Sequence, residues 1–343
     1  MNILLTSVGR RAYLVKAFQD ALHGHGTVHV CNSSALSVAF HYADRAVVSP
    51  LIYDEAYIPF LLSYCKAHAI GLVIPLFDID LLVLAENKDA FAAIGTRVVV
   101  SDPAFVAVCN DKWQTYQFLR AHDFRTPQTY LRLTDVKAAL HSGALTYPVI
   151  VKPRFGCGSI GVAVAQDARE LDCLSYLVEH EIMRTYLKYE SAAQAEKILY
   201  QERLNGQEYG IDIIHDLCGT FRVAVVKKKL AMRSGETDIA ETVAHRGIEA
   251  VAKRLGQTTN AIGNVDCDCF DCNGDIYVIE MNARFGGGYP FSHLAGCDLP
   301  AALIAWAEGR EVPPQLLAAR TGVRGCKEIR MTADEGRRDF HDK

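Results

Sequence analysis

A glycine-rich segment preceded by a lysine-bearing strand is the first part of this sequence that suggests chemistry. Gly156-Cys157-Gly158-Ser159-Ile160-Gly161 follows an apolar run that contains Lys152 and ends at Arg154. Glycines let backbone N–H groups approach an anion closely, and a nearby lysine adds a point charge. A phosphate site is therefore expected from Lys152, Arg154, Gly156, Gly158, Ser159 and Gly161. The alternative is a flexible hairpin loop with an exposed lysine. A P-loop is excluded, because Val162-Ala163 replaces its Lys–Ser/Thr pair.

A second group of functional side chains alternates along the segment Glu280-Met281-Asn282-Ala283-Arg284. In an extended strand Glu280, Asn282 and Arg284 share one face. A carboxylate and an amide oxygen suit Mg²⁺, and a guanidinium binds phosphate oxygens in pairs. One hairpin earlier, Asp266 and Asp268 also share a face, and either could complete the cation site. The alternative is a polar edge strand with a solvated salt bridge.

The elements that must position these residues follow two patterns. Residues 1–101 alternate between strands, predicted at 2–6, 28–31, 46–48, 72–75 and 97–100, and helices, predicted at 12–22, 58–68 and 81–93. This alternation predicts a doubly wound parallel sheet. After helix-start signals at Asp102-Pro103 and Asn110-Asp111, strands dominate, at 149–152, 161–165, 198–204, 209–215, 221–227, 264–270 and 276–280. With helices expected at 170–187 and 238–255, and a hairpin turn at Asn273-Gly274, this part predicts an α+β unit.

Composition and charge exclude several classes of protein. The chain has 343 residues, half of them hydrophobic, and a formal charge of −4, so no nucleic-acid surface is expected. No apolar run reaches the roughly 18–20 residues of a membrane span. Arg10 and Arg11 follow the apolar residues 1–7, the reverse of a secretory signal. Eleven cysteines, an odd number, favour reduced thiols and a cytoplasmic location.

Taken together, these motifs resemble the ATP-grasp superfamily, in particular its carbamoyl-phosphate-synthase-like carboxylate–amine ligases. The resemblance covers roughly residues 102–309 and depends on signatures that occur in the family's order. Asp111-Lys112 resembles the first ATP lysine and Val151-Lys152-Pro153 the second. Gln201-Glu202-Arg203-Leu204, followed by Glu208, resembles the hinge that holds adenine and ribose. Glu280-x-Asn282-x-Arg284 resembles the metal and phosphoryl-transfer motif, with Ala283 in place of the usual proline.

The resemblance implies a role for each matching residue. It implies ATP contacts from Lys112, Lys152, the glycine-rich loop, Gln201, Glu202, Arg203, Leu204, Glu208 and Lys227. It implies Mg²⁺, with Mn²⁺ as the alternative, on Glu280, Asn282 and either Asp268 or Asp266, with Asp268 slightly preferred. Arg284 and Lys152 are expected to be catalytic. So is Arg233, although its surroundings match the family less closely.

Substrate residues are expected at the N-terminal turn and in the glycines after Arg284. Gly9-Arg10-Arg11 follows the first strand with a single glycine, so NAD binding is not expected. Arg10 or Arg11 either grips a substrate carboxylate or forms a surface charge pair. Asp78 lies after a strand end that would face the cleft. The candidates are therefore Gly9, Arg10, Arg11, Asp78, Gly286, Gly287 and Gly288.

The expected function is ATP-dependent amide-bond formation between a small carboxylate and an amine, through an acyl phosphate. The resemblance implies amino acids, peptides or sugar acids as substrates, no membrane or nucleic-acid partner, and a homodimer as one assembly. A kinase that stops at the phosphorylated carboxylate and a non-catalytic nucleotide-binding regulator are the alternatives. The expected domains are 1–101 (pre-ATP-grasp), 102–310 (ATP-grasp, with a lid at about 126–204) and 311–343 (C-terminal extension).

Overall fold

The N-terminal region folds around a five-stranded parallel sheet. The computed structural model describes residues 1–333, so the last ten residues of the expected 311–343 extension lie outside the described residues. The strands are β1 (Asn2–Thr6), β2 (Val28–Asn32), β3 (Arg45–Val48), β4 (Ile70–Pro75) and β5 (Arg97–Val98), in the order β3-β2-β1-β4-β5. The helices are α1 (Ala12–Leu22), α2 (Tyr57–Ala67), α3 (Asp78–Glu86) and α4 (Lys88–Ala92), with a 3-10 turn at Val38–His41.

Alternate residues of the central strands pack on opposite faces of this sheet. Ile3 and Leu5 join a core cluster with Phe18 of α1, whereas Leu4 joins another with Leu61 of α2. The sheet is therefore covered on both faces, which confirms the predicted doubly wound architecture. Because the chain reverses its winding between β1 and β4, the carboxyl ends of these strands border the crevice where such sheets bind ligands.

A four-stranded antiparallel sheet follows, in the order β6-β9-β7-β8. The elements are α5 (Pro103–Asn110), α6 (Lys112–Ala121), β6 (Thr129–Tyr130), α7 (Leu133–Ser142), β7 (Val149–Pro153), β8 (Ala163–Ala165), α8 (Ala168–Arg184), α9 (Leu187–Glu190) and β9 (Ile198–Glu202). Val151 and Leu171 belong to a separate core cluster that joins this sheet to α7, α8 and α9. The opposite face of β7, which carries Lys152, is free to line a cavity.

A six-stranded antiparallel sheet completes the fold, in the order β14-β13-β10-β11-β12-β15. The elements are β10 (Gln207–His215), β11 (Phe221–Arg233), β12 (Glu236–Thr242), α10 (Arg246–Thr259), β13 (Gly263–Cys272), β14 (Asp275–Asn282), α11 (Tyr289–Leu294), α12 (Leu299–Ala307), a 3-10 turn at Pro314–Leu317, and β15 (Arg324–Cys326). Cys267 and Val278 pack in the same cluster as Leu4 of the parallel sheet. None of the helices within residues 1–333 has the length and apolar character of a membrane span.

Most predicted elements are confirmed, and two are wrong in part. The helix expected at 238–255 begins only at Arg246, because Glu236–Thr242 pairs with both β11 and β15 as a strand. The helix expected at 81–93 is two helices, which meet at Asn87, whose side chain bonds the Val83 carbonyl. The hairpin turn at Asn273-Gly274 is confirmed, with φ of 57° and 95°. The elements β6, α7, α11, α12 and β15 were not anticipated.

Candidate active site

Most of the predicted site residues line one cavity between the two antiparallel sheets. The cavity has a volume of about 530 Å³ and is lined by β7, β9 and the loop between β7 and β8 on one side. Strands β10 to β14 line the other side. Lys112, Lys152 and Glu280, which come from three separate segments, all lie along it.

Lys152 is a buried cation beside this cavity. It is 6% exposed, and its Nζ donates to Oε1 of Gln201 at 2.8 Å. Burial lowers the pKa of Lys152 to about 8, against an opposing effect of Glu280. Burial would raise the pKa of Glu280, but the charges of Lys112 and Lys152 outweigh it and lower that pKa. The cavity therefore holds positive charge that its own acids only partly balance, which suits a polyanion.

The glycine-rich loop covers one end of the cavity with its backbone. Gly156, Gly158 and Ser159 line the cavity with φ of 95°, 67° and 58°, in the left-handed region. The Nζ of Lys112 donates to the Gly156 carbonyl. Across the cavity, a Cβ on Gly235 would lie 2.4 Å from the Gly158 carbonyl oxygen, so the loop touches the turn between β11 and β12. The loop is thus held over the cavity.

The two candidate metal carboxylates have different partners. Across β13 and β14, Asp268 is opposite Glu280 and Asp266 is opposite Asn282. Oδ1 of Asp268 lies 2.7 Å from Nζ of Lys229, whereas Oδ2 of Asp266 lies 2.9 Å from Nη1 of Arg284. Each carboxylate is therefore paired with one cation. Glu280, Asn282 and either of the two carboxylates form an oxygen-donor set, which has the hard chemistry that Mg²⁺ takes.

This set is not a closed cage of acids. Within residues 1–333, no three His, Cys, Asp or Glu side chains group as a metal centre. An amide oxygen is one of the three donors here, and a site of one or two carboxylates completed by substrate phosphates is typical of Mg²⁺. Burial, together with the charges of Asp266 and Glu280, raises the pKa of Asp268 to about 7, although Lys229 opposes this. A divalent ion would relieve that repulsion.

Lys229 is a site residue that the sequence reasoning missed. It is 8% exposed at its side chain and bridges Oε1 of Glu208 and Oδ1 of Asp268, each at 2.7 Å. Burial lowers the pKa of Lys229, but Asp268 and Glu208 raise it more, so the lysine stays charged. The available signal was its spacing from Lys227, because residues two apart on a strand share a face.

The far end of the cavity combines flat apolar walls with the segment predicted as a hinge. Gln201, Glu202, Arg203, Leu204 and Glu208 all line it, and Ile150, Phe270 and Ile279 add apolar surface. Oε2 of Glu202 accepts from the backbone N–H of Gln128 at 3.1 Å, and Nε2 of Gln201 donates to Thr129. These contacts fix the edge of the cavity where an aromatic base would fit.

The opposite end carries the predicted substrate residues that reach the cavity, namely Arg11, Gly287 and Gly288. No hydrogen bond or ion pair within the described part of the chain holds the guanidinium of Arg11. Lys227 also lines this end, but its Nζ is bound to the fully buried Asp212, which also accepts from Ser292. Glu236 lies opposite, against Gly287. This end therefore presents both an unpaired cation and a carboxylate.

Seven predicted site residues lie outside the cavity lining. Two of them are arginines that form ion pairs with aspartates. Arg154 makes a bidentate pair with Asp111, at 2.8 and 2.6 Å, and so braces the residue that caps α6 just before Lys112. Arg233 pairs with Asp238 at 2.7 Å and is half exposed, because irregular pairing of β11 around Ala231 turns Met232 towards the cavity instead.

The other five border the site without lining it. Arg10 is exposed, and the carbonyl of Gly9 accepts from the Ser37 hydroxyl. Gly161 packs against Pro153. A Cβ on Gly286 would lie 2.0 Å from the Asp266 carboxyl carbon, so this glycine allows the close approach of the two segments. The fifth, Asp78, binds Arg284 at 3.0 Å.

Known protein families match both the N-terminal region and the region that forms the cavity. A model described as "PylC-like, N-terminal domain" matches residues 3–99, and one described as "ATP-grasp domain" matches residues 109–288. Among solved structures, a biotin carboxylase–βγ-ATP complex from Campylobacter jejuni is 18% identical, with a TM-score of 0.73 over 94% of this chain and 74% of that one. An L-amino acid ligase from Bacillus licheniformis is 20% identical, with a TM-score of 0.68 over 89% and 74%.

A third similar structure was solved with a nucleotide and a metal. It is the biotin carboxylase domain dimer of Hydrogenobacter thermophilus 2-oxoglutarate carboxylase, in complex with MgADP, ADP and bicarbonate. It is 14% identical, with a TM-score of 0.70 over 90% of this chain and 70% of that one. At these identities the three likenesses establish the fold.

Proposed function

Because the chain belongs to the ATP-grasp family, whose model spans more than half of it, we propose that it is an ATP-dependent carboxylate–amine ligase. The observation that carries the proposal is the convergence of Lys112, Lys152 and Glu280 on one cavity. Two lysines from separate segments serve a triphosphate, and the acid–amide pair of β14 serves its divalent ion. We also propose that residues 1–101, 102–310 and 311–343 are the domains.

The residues fit this nucleotide and metal chemically. Lys152 is buried, with a lowered pKa, and a bound polyphosphate would restore its full charge. The apolar surfaces of Ile150 and Ile279 suit a base, and Glu208 suits a ribose hydroxyl. Asp268, Glu280 and Asn282 would hold Mg²⁺, which would neutralise phosphate charge as it develops.

The chemistry follows the order of groups along the cavity. A substrate carboxylate oxygen attacks the γ-phosphorus of ATP, the bond to ADP breaks, and an acyl phosphate forms. Arg284 and the lysines stabilise the charge of the transferring group. An amine then attacks the acyl carbon, phosphate leaves, and the amine loses a proton to give the amide. The glycine-rich loop excludes water that would hydrolyse the acyl phosphate.

We propose small substrates, namely an amino acid, a peptide or a sugar acid, and an amine. The unpaired Arg11 at the end away from the hinge supports a carboxylate-bearing ligand. We further propose a cytoplasmic location and a homodimer, the latter supported by the dimeric 2-oxoglutarate carboxylase domain.

The test is ADP release from Mg·ATP with amino acids and other carboxylates offered singly and in pairs. We expect release only with a carboxylate and an amine together, and amide product by mass spectrometry. Glu280→Gln should reduce turnover by about 100- to 1,000-fold, the loss typical of one electrostatic group. Glu86→Gln, on the exposed end of α3, is the matched control.

Two outcomes would contradict the proposal. Stoichiometric ADP release with a carboxylate alone, together with a phosphorylated product, would identify a kinase. Full turnover by Glu280→Gln would reject the metal assignment.

A further inference from the structure

We propose that Asp78 is a positioning residue that holds Arg284 in place and ties the glycine-rich loop to it through Cys157. The inference rests on the proposed function, because that function gives Arg284 its role in phosphoryl transfer. It changes the role expected for Asp78, from a substrate ligand to a part of the machinery that joins the N-terminal sheet to the active site.

The first support is the ionic arrangement around Arg284. Its Nη2 lies 3.0 Å from Oδ2 of Asp78 and its Nη1 lies 2.9 Å from Oδ2 of Asp266. The three side chains are 6%, 12% and 16% exposed, so the interactions are little weakened by solvent. Burial opposes the charge, but Asp78 and Asp266 raise the pKa of Arg284 above its ordinary value. Two carboxylates, one at the start of α3 and one on β13, therefore fix the orientation of one guanidinium.

This arrangement leaves one nitrogen of the Arg284 guanidinium without a partner. Its Nε is buried and makes no hydrogen bond among the described residues. Because Arg284 lines the cavity and both terminal nitrogens are held, small movements of Asp78 would change where the guanidinium faces. Fixing such a group before reaction is the usual source of electrostatic catalysis.

The second support is the proximity of Asp78 to the glycine-rich loop. The Asp78 carboxylate lies close enough to the thiol of Cys157 that each side chain shifts the pKa of the other. Burial would raise the pKa of Asp78, but Arg284 outweighs it and keeps the carboxylate ionised. Burial and the charge of Asp78 raise the pKa of the Cys157 thiol to about 11. The thiol is thus neutral, and the same carboxylate lies beside the loop and binds Arg284.

The third support is the packing that surrounds this contact. Sγ of Cys157 lies 3.9 Å from the Tyr186 hydroxyl, and the Tyr186 ring packs edge-on against Phe77 with centroids 5.5 Å apart. Phe77 directly precedes Asp78. The loop can therefore reach Asp78 only while it lies over the cavity, so closure of the loop and placement of Arg284 depend on one another.

The test replaces the charge of Asp78 without changing its size, in the full-length chain. In Asp78→Asn, Arg284 keeps only Asp266, and we expect kcat for ADP formation to fall about 10- to 100-fold, as for a misplaced catalytic group. The Kd of Mg·ADP should stay unchanged. Asp89→Asn, in the first turn of α4 and exposed, is the matched control and should behave as wild type.

The second readout needs no turnover. Alkylation of Cys157 by iodoacetamide at neutral pH is followed by mass spectrometry, with the exposed Cys173 as internal reference. Asp78→Asn should speed Cys157 labelling about 3- to 10-fold, because the thiol loses a neighbouring negative charge that raises its pKa. Labelling of Cys173 should not change.

Other outcomes would overturn the proposal. A raised KM for the carboxylate with unchanged kcat would make Asp78 a substrate ligand. Unchanged Cys157 labelling would remove the link to the loop, even if the ligase assay itself yields no product. If Asp78→Asn does not fold, Cys157→Ala should lower kcat and Cys157→Ser, which keeps a donor, should restore it. Equal activity of these two variants would also reject the link.

Discussion

At the scale of single residues, Lys152 shows how a binding site is held ready at the expense of stability. Its ammonium group is buried and donates a hydrogen bond to the amide oxygen of Gln201, and its pKa is about 8 against an ordinary value of 10.5. That difference corresponds to about 3 kcal/mol at neutral pH. The charge therefore destabilises the nucleotide-free fold and becomes favourable only beside an anion.

The sign of this effect makes a prediction about pH. Between pH 8 and 10.5 the unfolded chain keeps the Lys152 proton that the folded protein has lost, so the stability of the wild type rises with pH. Lys152→Met lacks this titration. We expect it to be more stable than wild type at pH 7 by about 1 kcal/mol, after the loss of the Gln201 hydrogen bond. The advantage should disappear near about pH 9 and be reversed by about 2 kcal/mol at pH 10.5, as measured by urea unfolding.

The control for this prediction is Lys137→Met on α7. The Lys137 side chain is half exposed and pairs with Asp172 at the surface, so its removal should change stability by less than about 0.5 kcal/mol at every pH. A Lys152→Met difference that stays constant from pH 7 to 10.5 would contradict the assignment of a lowered pKa.

At the scale of elements, the glycine-rich loop is shaped by α9 as well as by its own glycines. A Cβ on Gly156 would lie 2.4 Å from Cδ2 of Leu187, a fully buried residue of α9, whereas a Cβ on Gly158 would meet nothing within 4 Å. Both glycines have positive φ, so both substitutions strain the backbone. Only the first also displaces α9.

This difference predicts unequal effects of two matched substitutions. Gly158→Ala should raise the KM for ATP about two- to fivefold, from backbone strain of roughly 1 kcal/mol. Gly156→Ala should raise the KM for ATP well beyond the effect of Gly158→Ala, and it should also lower the melting temperature, because Leu187 must move. Steady-state kinetics and thermal unfolding measure both quantities. Equal effects of the two substitutions would show that the contact with Leu187 does not shape the loop.

The elements and motifs could be predicted where local pattern decides them. The helix Ala12–Leu22 and the strand Asn2–Thr6 have the bounds that their periodicity predicts. Lys112, Lys152 and Glu280 were found because each sits in a short motif at a strand or helix end. Residues 236–242 were wrongly predicted as helical, because their pairing with β11 and β15 is a long-range contact that no local pattern records.

The direction of side chains was the second feature that could not be predicted from the sequence. Alternation along β11 places Arg233 on the same face as Lys227 and Lys229, but the irregular pairing around Ala231 reverses it. Arg154 follows Lys152 by two residues, yet it turns towards Asp111, a partner 43 residues away. An irregular strand pairing decides where the guanidinium of Arg233 lies, and a charge distant in sequence decides it for Arg154. The spacing of residues in the sequence predicts neither effect.

At the scale of the whole molecule, helix α9 contacts the N-terminal region directly. The rings of Tyr53 and Tyr189 lie 4.5 Å apart, and the Tyr53 hydroxyl donates to Oε1 of Glu190 at 3.1 Å. Tyr189 and Glu190 belong to α9, whose Leu187 supports the glycine-rich loop. Tyr53 therefore supports, from outside the cavity, the helix that packs against the glycine-rich loop.

Removing this contact should open the lid without touching the nucleotide site. Tyr53→Ala should weaken closure by about 1 kcal/mol, or about fivefold, the size of an exposed aromatic pair and hydrogen bond. We expect faster tryptic cleavage at Arg184, Lys188 and Lys197, slowed again by Mg·ADP, and a raised KM for ATP. Tyr53→Phe keeps the aromatic ring, so its cleavage rate and its KM for ATP should lie between those of wild type and Tyr53→Ala. The control is Tyr176→Ala, which removes an exposed tyrosine of α8 and should leave both quantities at their wild-type values. Because α9 is the only element on this path that contacts both Tyr53 and the loop in the described part of the chain, unchanged cleavage in Tyr53→Ala would mean that the loop closes independently of the N-terminal region.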